Sequence, residues 1–276
     1  MKIRLIASAA LLALFGGSAI AADLPVKAPP PPVPVWNWTG FYLGGHIGAF
    51  WGNTSQSLFV NNSPPFNADQ IVPVTFGRDT SARLMGGLHA GYNWQVAPSW
   101  VIGVEGDASA LDGSFQRGPV AAVDNTSGLP LVNPNFITMS HSDNWLMSIR
   151  GRVGFTADNW LFYGTGGAAW DNRTFTGTWG SGGNVASVST LDRNRTDLGW
   201  VAGAGVEWAP WHNGLMVRAE YLYYSFPSES FVQPCGRCVP GAYDGPGTWT
   251  WNGSHLQVVR LGLSYKWGVG PILAKD

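Results

Sequence analysis

Charge is scarce in this chain. Its 16 basic and 17 acidic residues make up 12% of 276 positions and leave a formal net charge of −1. That balance gives no support to a nucleic-acid partner, which needs clustered cations, and so few charges make an unusual surface for a soluble globule. Long apolar runs are missing too. The stretch Leu5–Phe15 is too short to span a bilayer as a mature helix, and no later segment offers a transmembrane helix. Cysteine is limited to Cys235 and Cys238, and the five His are scattered, so a zinc site lacks ligands at suitable spacing. What the chain does have is 37 Gly, 15 Trp and 45% hydrophobic residues, and that apolar surface needs a destination.

The N-terminus supplies an address. Lys2 and Arg4 precede the apolar run, which is followed by small residues ending Ala19-Ile20-Ala21-Ala22, so residues 1–21 read as a cleaved secretory signal. Residues 22–38 include the consecutive prolines Pro29–Pro32 and read as an extended periplasmic linker that cannot join a sheet. Residues 39–267 form the folded domain, and 268–276 a C-terminal tail.

Within that domain lie eight stretches in which every second side chain is apolar or aromatic: 41–51, 84–95, 100–108, 145–155, 160–170, 199–208, 215–224 and 256–267. Strand 41–51 sets Phe41, Leu43 and Ile47 against Tyr42, His46 and Phe50. Strand 215–224 sets Leu215, Val217, Ala219, Tyr221 and Tyr223 against Arg218 and Glu220. The Gly and aromatic content of 160–170 leaves its facing open. Nearly every strand charge falls on the opposite side from the apolar set: Glu105, Asp107, Arg150, Arg152, Glu207, Arg218, Glu220, Arg260 and Lys266. A charge on a lipid face costs ~2–4 kcal/mol near the midplane, so this segregation predicts an all-β, eight-stranded antiparallel up-and-down transmembrane β-barrel. Trp51, Trp94, Trp100, Trp145, Trp160, Trp208 and Trp267 stand near strand ends, where amphipathic rings sit at headgroup level. Short polar turns near 96–99, 156–159 and 209–214 face the periplasm with both termini. The long intervals near 53–83, 109–144, 171–198 and 225–255 form four external loops.

The inward set holds four acids and five bases, and an eight-stranded interior is just wide enough for side chains to fill. A charge network that plugs the barrel is expected, with a low-conductance or gated porin for ions and small hydrophilic solutes as the alternative. His46 and His89 read as lumen-facing polar groups. Cys235-Gly236-Arg237-Cys238 lies in the last long interval, where a local disulfide suits an oxidising compartment better than a thiol redox motif. The Gly clusters 164–167 and 180–183 lack the Lys-Ser/Thr ending of a phosphate loop. Ser140, His141 and Asp143 lie close in sequence, as a rim hydrolase or acyltransferase would need, but only spatial geometry defines a triad. No cofactor and no metal site is expected.

Several blocks taken together resemble the alphaproteobacterial outer-membrane immunogenic protein family, a branch of the small OmpA-like barrels: Trp38-Thr39-Gly40-Phe41-Tyr42-Leu43-Gly44-Gly45, Gly203-Ala204-Gly205-Val206-Glu207-Trp208, Ala219-Glu220-Tyr221-Leu222-Tyr223-Tyr224 and Val259-Arg260-Leu261-Gly262-Leu263-Ser264-Tyr265-Lys266-Trp267. The resemblance covers about residues 36–267. It implies a Gram-negative outer-membrane barrel associated with envelope integrity and with host or environmental contact, porin-annotated in part, and it brings no catalytic residue. The implied partners are outer-membrane lipid and lipopolysaccharide, the barrel-assembly machinery and surface ligands. The tail Gly268–Asp276 departs from family barrels, which commonly finish on the last strand's aromatic.

Overall fold

The computed structural model describes residues 36–52, 56–60, 74–76, 81–121, 136–180, 188–211, 213–233, 247–251 and 253–267. The leader, residues 22–35 of the linker, Cys235, Cys238 and the tail lie outside the described residues. Among the described residues twelve strands run in chain order: β1 Gly40–Gly52, β2 Gln56–Val60, β3 Val74–Phe76, β4 Arg83–Ala97, β5 Trp100–Ala121, β6 Phe136–Ala157, β7 Trp160–Gly180, β8 Val188–Trp208, β9 Leu215–Ser225, β10 Glu229–Gln233, β11 Gly247–Trp251 and β12 His255–Trp267. Eight of them close an antiparallel barrel in the order β1-β12-β9-β8-β7-β6-β5-β4. The seam joins the first strand to the last, with Phe41 opposite Trp267 and Gly52 opposite Leu256.

Alternation fixes which face each side chain takes. Ile47, Leu84, Leu88, Ile149, Phe162, Leu261 and Leu263 are all more than half exposed on the outside, as a lipid belt requires. The step from Trp160 to Trp170 covers ~33 Å of strand, or about 25 Å of height at a ~40° tilt, which matches the apolar band of such barrels. Strand 160–170 now has its faces: Leu161, Tyr163 and Ala169 point inward and are buried, while Trp160 and Phe162 point out.

The short turns follow their composition. Asp158 adopts a left-handed φ of 52° between β6 and β7, a conformation Asp tolerates. Gly214 has φ 96°, and a Cβ there would meet the Lys266 carbonyl oxygen at 2.8 Å. Adjacent turns are tied by backbone bonds from Thr156 to Ser99, Ala209 to Asn159 and Lys266 to Gly214.

The long intervals differ from the sequence reading. Much of 109–144 and 171–198 is strand, because alternation continues past the membrane: β5 to β8 have 22, 22, 21 and 21 residues. The neighbouring β9, β12, β1 and β4 have 11, 13, 13 and 15. The other two intervals contribute a second, four-stranded sheet in the order β10-β11-β2-β3.

Candidate functional site: a layered interior and an asymmetric rim

The barrel interior is stacked in layers. At the periplasmic end Trp38, Tyr42, Val101, Leu161, Tyr163, Ala209 and Met216 form an apolar cluster with Trp36 packed against it. Residues 36–38, read from the sequence as the end of the linker, are thus part of the barrel's packing. Trp38 is fully buried and its backbone N–H donates to Gln95 Oε1 at 3.0 Å.

The charges come next. Glu105 accepts from Arg150 at 2.5 Å, Arg152 at 3.1 Å, Arg218 at 2.5 Å and the Tyr42 hydroxyl at 2.7 Å. Arg218 and Arg152 also reach Glu207, at 2.6 and 2.9 Å. Arg150 and Arg260 bridge Glu220, at 2.8 and 2.7 Å, and Asp107, at 3.1 and 2.9 Å. Eight of the nine predicted inward charges therefore meet in one buried network of four carboxylates and four guanidiniums. Lys266 stands apart at the periplasmic mouth, donating to the Thr39 carbonyl at 3.2 Å with its ammonium 4.6 Å from the Trp36 ring centroid. His46 and His89 border the network as a stacked pair, their Nδ1 atoms 3.2 Å apart and their Nε2 atoms on Ser109 and Ser264. Arg152 lies 4.1 Å over the Tyr163 ring, so aromatic faces line part of the cationic side.

Above the network a second apolar layer fills the bore, with Phe50, Met85, Leu111, Leu146, Val201 and Tyr224 among its members. Higher still is a second set of charges that the sequence reading assigned to loop: Arg173 pairs with Asp171 and Asp143, and Arg195 with Asp197 and Glu229. Continuing the alternation of 160–170 by two steps would have placed Asp171 and Arg173 inward. Glycine makes this filling geometrically feasible. A Cβ at Gly91 would sit 2.3 Å from the Tyr42 hydroxyl oxygen, and one at Gly205 would lie 2.5 Å from the Tyr163 ring.

The aromatic ends are uneven. Trp94, Trp100, Trp160, Trp208 and Trp267 all lie at the short-turn end, with Trp160 and Trp208 stacked at 5.3 Å and Phe41 on Trp267 at 5.8 Å. Trp51 and Trp145 lie at the other end, joined there by Trp170 and Trp200. The small sheet is held over this end by its neighbours. Phe231 lies 6.4 Å from Phe175, Glu229 accepts two bonds from Arg195 at 2.6 and 2.7 Å, and the fully buried Trp249 occupies the space left by Gly177.

The rim does not assemble the triad that spacing allowed. Register places His141 opposite Phe175 on the inner face and Ser140 opposite Thr176 on the outer face, while Asp143 is engaged with Arg173 and Arg83. Among the described residues no three His, Cys, Asp or Glu side chains gather as metal ligands.

A closed eight-stranded barrel with a lipid-facing belt, two aromatic ends and a solvent-excluded charged core defines an outer-membrane protein of a Gram-negative bacterium. The comparisons make this specific. The profile described as "Outer membrane protein beta-barrel domain" matches residues 7–266. The chain is 30% identical over 264 residues to the 31 kDa outer-membrane immunogenic protein of Brucella melitensis biotype 1, spanning 94% of this chain and 97% of that one. It is 30% identical to a 22 kDa outer membrane protein of Rhizobium leguminosarum bv. viciae, over 81% and 78% of the two chains. To the 25 kDa outer-membrane immunogenic protein of Brucella canis it is 28% identical, over 96% and 98%. This chain belongs to the outer-membrane immunogenic protein family of β-barrels. Among solved structures, the outer membrane protease OmpT of Escherichia coli aligns with a TM-score of 0.47 at 9% identity, over 83% of this chain and 97% of that one.

Proposed function

We propose that this protein is a closed, non-enzymatic barrel that anchors in the outer membrane, contributes to envelope integrity and presents its external β-structure as the contact surface. The layering is the observation that carries the reading. An open ion path would have to cross two apolar layers as well as a network in which every guanidinium already faces carboxylates. Opening such a path means separating buried ion pairs, at ~3–5 kcal/mol for each charge left unpaired. The separation of Ser140 from His141 supports the non-enzymatic part.

Planar-bilayer recording on purified, refolded protein tests the reading against a low-conductance or gated porin. The expected result is a silent bilayer under applied potential, with reconstitution confirmed by heat-modifiable migration. Reproducible unitary conductance that changes in Arg150→Ala or Glu105→Gln would overturn it, because the current would then pass through the charged layer.

A further inference from the structure

The outward face of β5 to β8 changes character just above Trp145, Trp170 and Trp200. Register places Ser114, Ser142, Thr174 and Asn194 in one cross-strand row, with Gln116, Ser140, Thr176 and Asp192 in the next. Asparagines stitch the lowest part together. Asn144 Nδ2 donates to Asn172 Oδ1 at 2.9 Å and Thr174 Oγ1 at 3.0 Å, and Asn172 Nδ2 to Asn194 Oδ1 at 2.8 Å and Thr196 Oγ1 at 3.0 Å. Asn194 Nδ2 donates in turn to Thr174 at 3.3 Å. Among the described residues no Lys or Arg holds an outward position on this wall above the three tryptophans. The same strands send Arg173, Arg193 and Arg195 to the other face, and Asp112 and Asp192 are the only outward charges.

Apart from those two carboxylates, such a surface is uncharged and rich in groups that both donate and accept. Its amides and hydroxyls are held by one another, so little side-chain freedom is left to lose on binding. The face is continuous with the lipid belt. Alternation carries it from Phe162 and Trp170, through Asn172 and Thr174, to a row about 10 Å above the aromatic level. What stands at that height against an outer-membrane barrel is the sugar of the outer-leaflet glycolipid.

We propose that the β6–β8 face around Asn144, Thr174 and Asn194 is a docking surface for the uncharged saccharide of outer-leaflet lipopolysaccharide. The sugar hydroxyls bond to the amide and hydroxyl rows, with the exposed Trp200 ring below them as an apolar platform. Without outward cations, and with Asp112 and Asp192 on the same face, the wall lacks the charge-assisted bonds that favour phosphate or acidic sugar, and neutral hydroxyls suit it better. The proposal rests on the contact-surface part of the reading above and not on the closed bore, so a conducting barrel would leave it standing.

The test uses the full chain refolded in zwitterionic detergent, with retained ligand read by native mass spectrometry. Core-bearing rough lipopolysaccharide is compared with lipid A alone. The expected outcome is about a five- to tenfold preference for the core-bearing form, the factor that one or two net hydrogen bonds supply. It persists between about 0.05 and 0.5 M NaCl, a range that screens exposed ion pairs. The double variant Asn144→Ala/Asn194→Ala loses the preference yet still binds lipid A, while Thr174→Ser keeps it, with heat-modifiable migration confirming the fold. Equal retention of the two glycolipids by the unaltered protein overturns the proposal, whatever the variants do. So does a preference that salt abolishes, or Thr174→Cys cross-linking into dimers without glycolipid, which would make a second copy the occupant.

Discussion

The two sides of this barrel share one membrane and little else. On one side β5 to β8 continue about 25 Å beyond the headgroups as a hydrogen-bonded wall. On the other, β9, β12, β1 and β4 stop near the lipid surface and hand over to the separate strands β2, β3, β10 and β11. The same backbone chemistry serves both. The difference lies in what the alternation offers after the membrane: Asp171, Arg173 and Phe175 keep giving the inner face buried partners, and Thr and Asn keep the outer face polar. The wall therefore stays a two-faced sheet in water. In sequence, the interval 53–83 holds Pro64, Pro65 and Pro73, and proline cannot donate to a ladder.

The largest contrast expected is between the deep network, to which both sides contribute, and the ion pairs at the top of the wall. Glu105→Ala strands Arg150, Arg152 and Arg218 without a shared acceptor and should cost ~3–5 kcal/mol or abolish refolding, whereas Arg195→Ala should cost ~1 kcal/mol or less. Urea midpoints followed by heat-modifiable migration give both. Equal losses would mean that the network is no more critical than the rim. A smaller contrast separates two glycines of the wall strands. A Cβ at Gly167 would lie 2.0 Å from the Ile149 carbonyl oxygen, while at Gly151 the nearest atom is 4.0 Å away. Gly167→Ala should lower stability by ~1–3 kcal/mol, with Gly151→Ala close to unaltered in the same titration.

Smaller again is the girdle effect. Trp160→Ala removes the stack on Trp208 at the crowded periplasmic end and should cost ~1 kcal/mol more than Trp200→Ala, whose ring neighbour is Tyr223 at 5.7 Å. The least effect on barrel stability is expected from Phe231→Ala, which loosens β10 from the wall. Surface protease on whole cells should then cut the β9–β12 connection faster while β5 to β8 stay intact. Cleavage within β7 first would reverse the assigned roles of the two sides.

The eight strands and their inward charges were legible because a lipid face forbids charge, so a period of two survives even in short stretches. The facing of strand 160–170 was not, since Gly164, Thr165, Gly166 and Gly167 carry no side-chain contrast to read. The upper network was hidden for another reason. Asp171 and Arg173 sit among polar residues that resemble loop composition, and only their pairing through space makes them interior. Lys266 kept the alternation but not the partnership, because its height on β12 puts it at the mouth beside Trp36. The histidine pair depended on the register between the adjacent strands β1 and β4, with Gly44 opposite His89 leaving room for the ring.

The small sheet interleaves the chain's beginning and end: Ser57 on β2 lies opposite Thr250 on β11. The same two ends of the chain meet along the seam, where Gly52 lies opposite Leu256, so the sheet prolongs above the membrane the pairing that closes the cylinder. An antibody that needs β2 and β11 side by side would thus report whether the two ends of the chain have met, and with them whether the cylinder is shut.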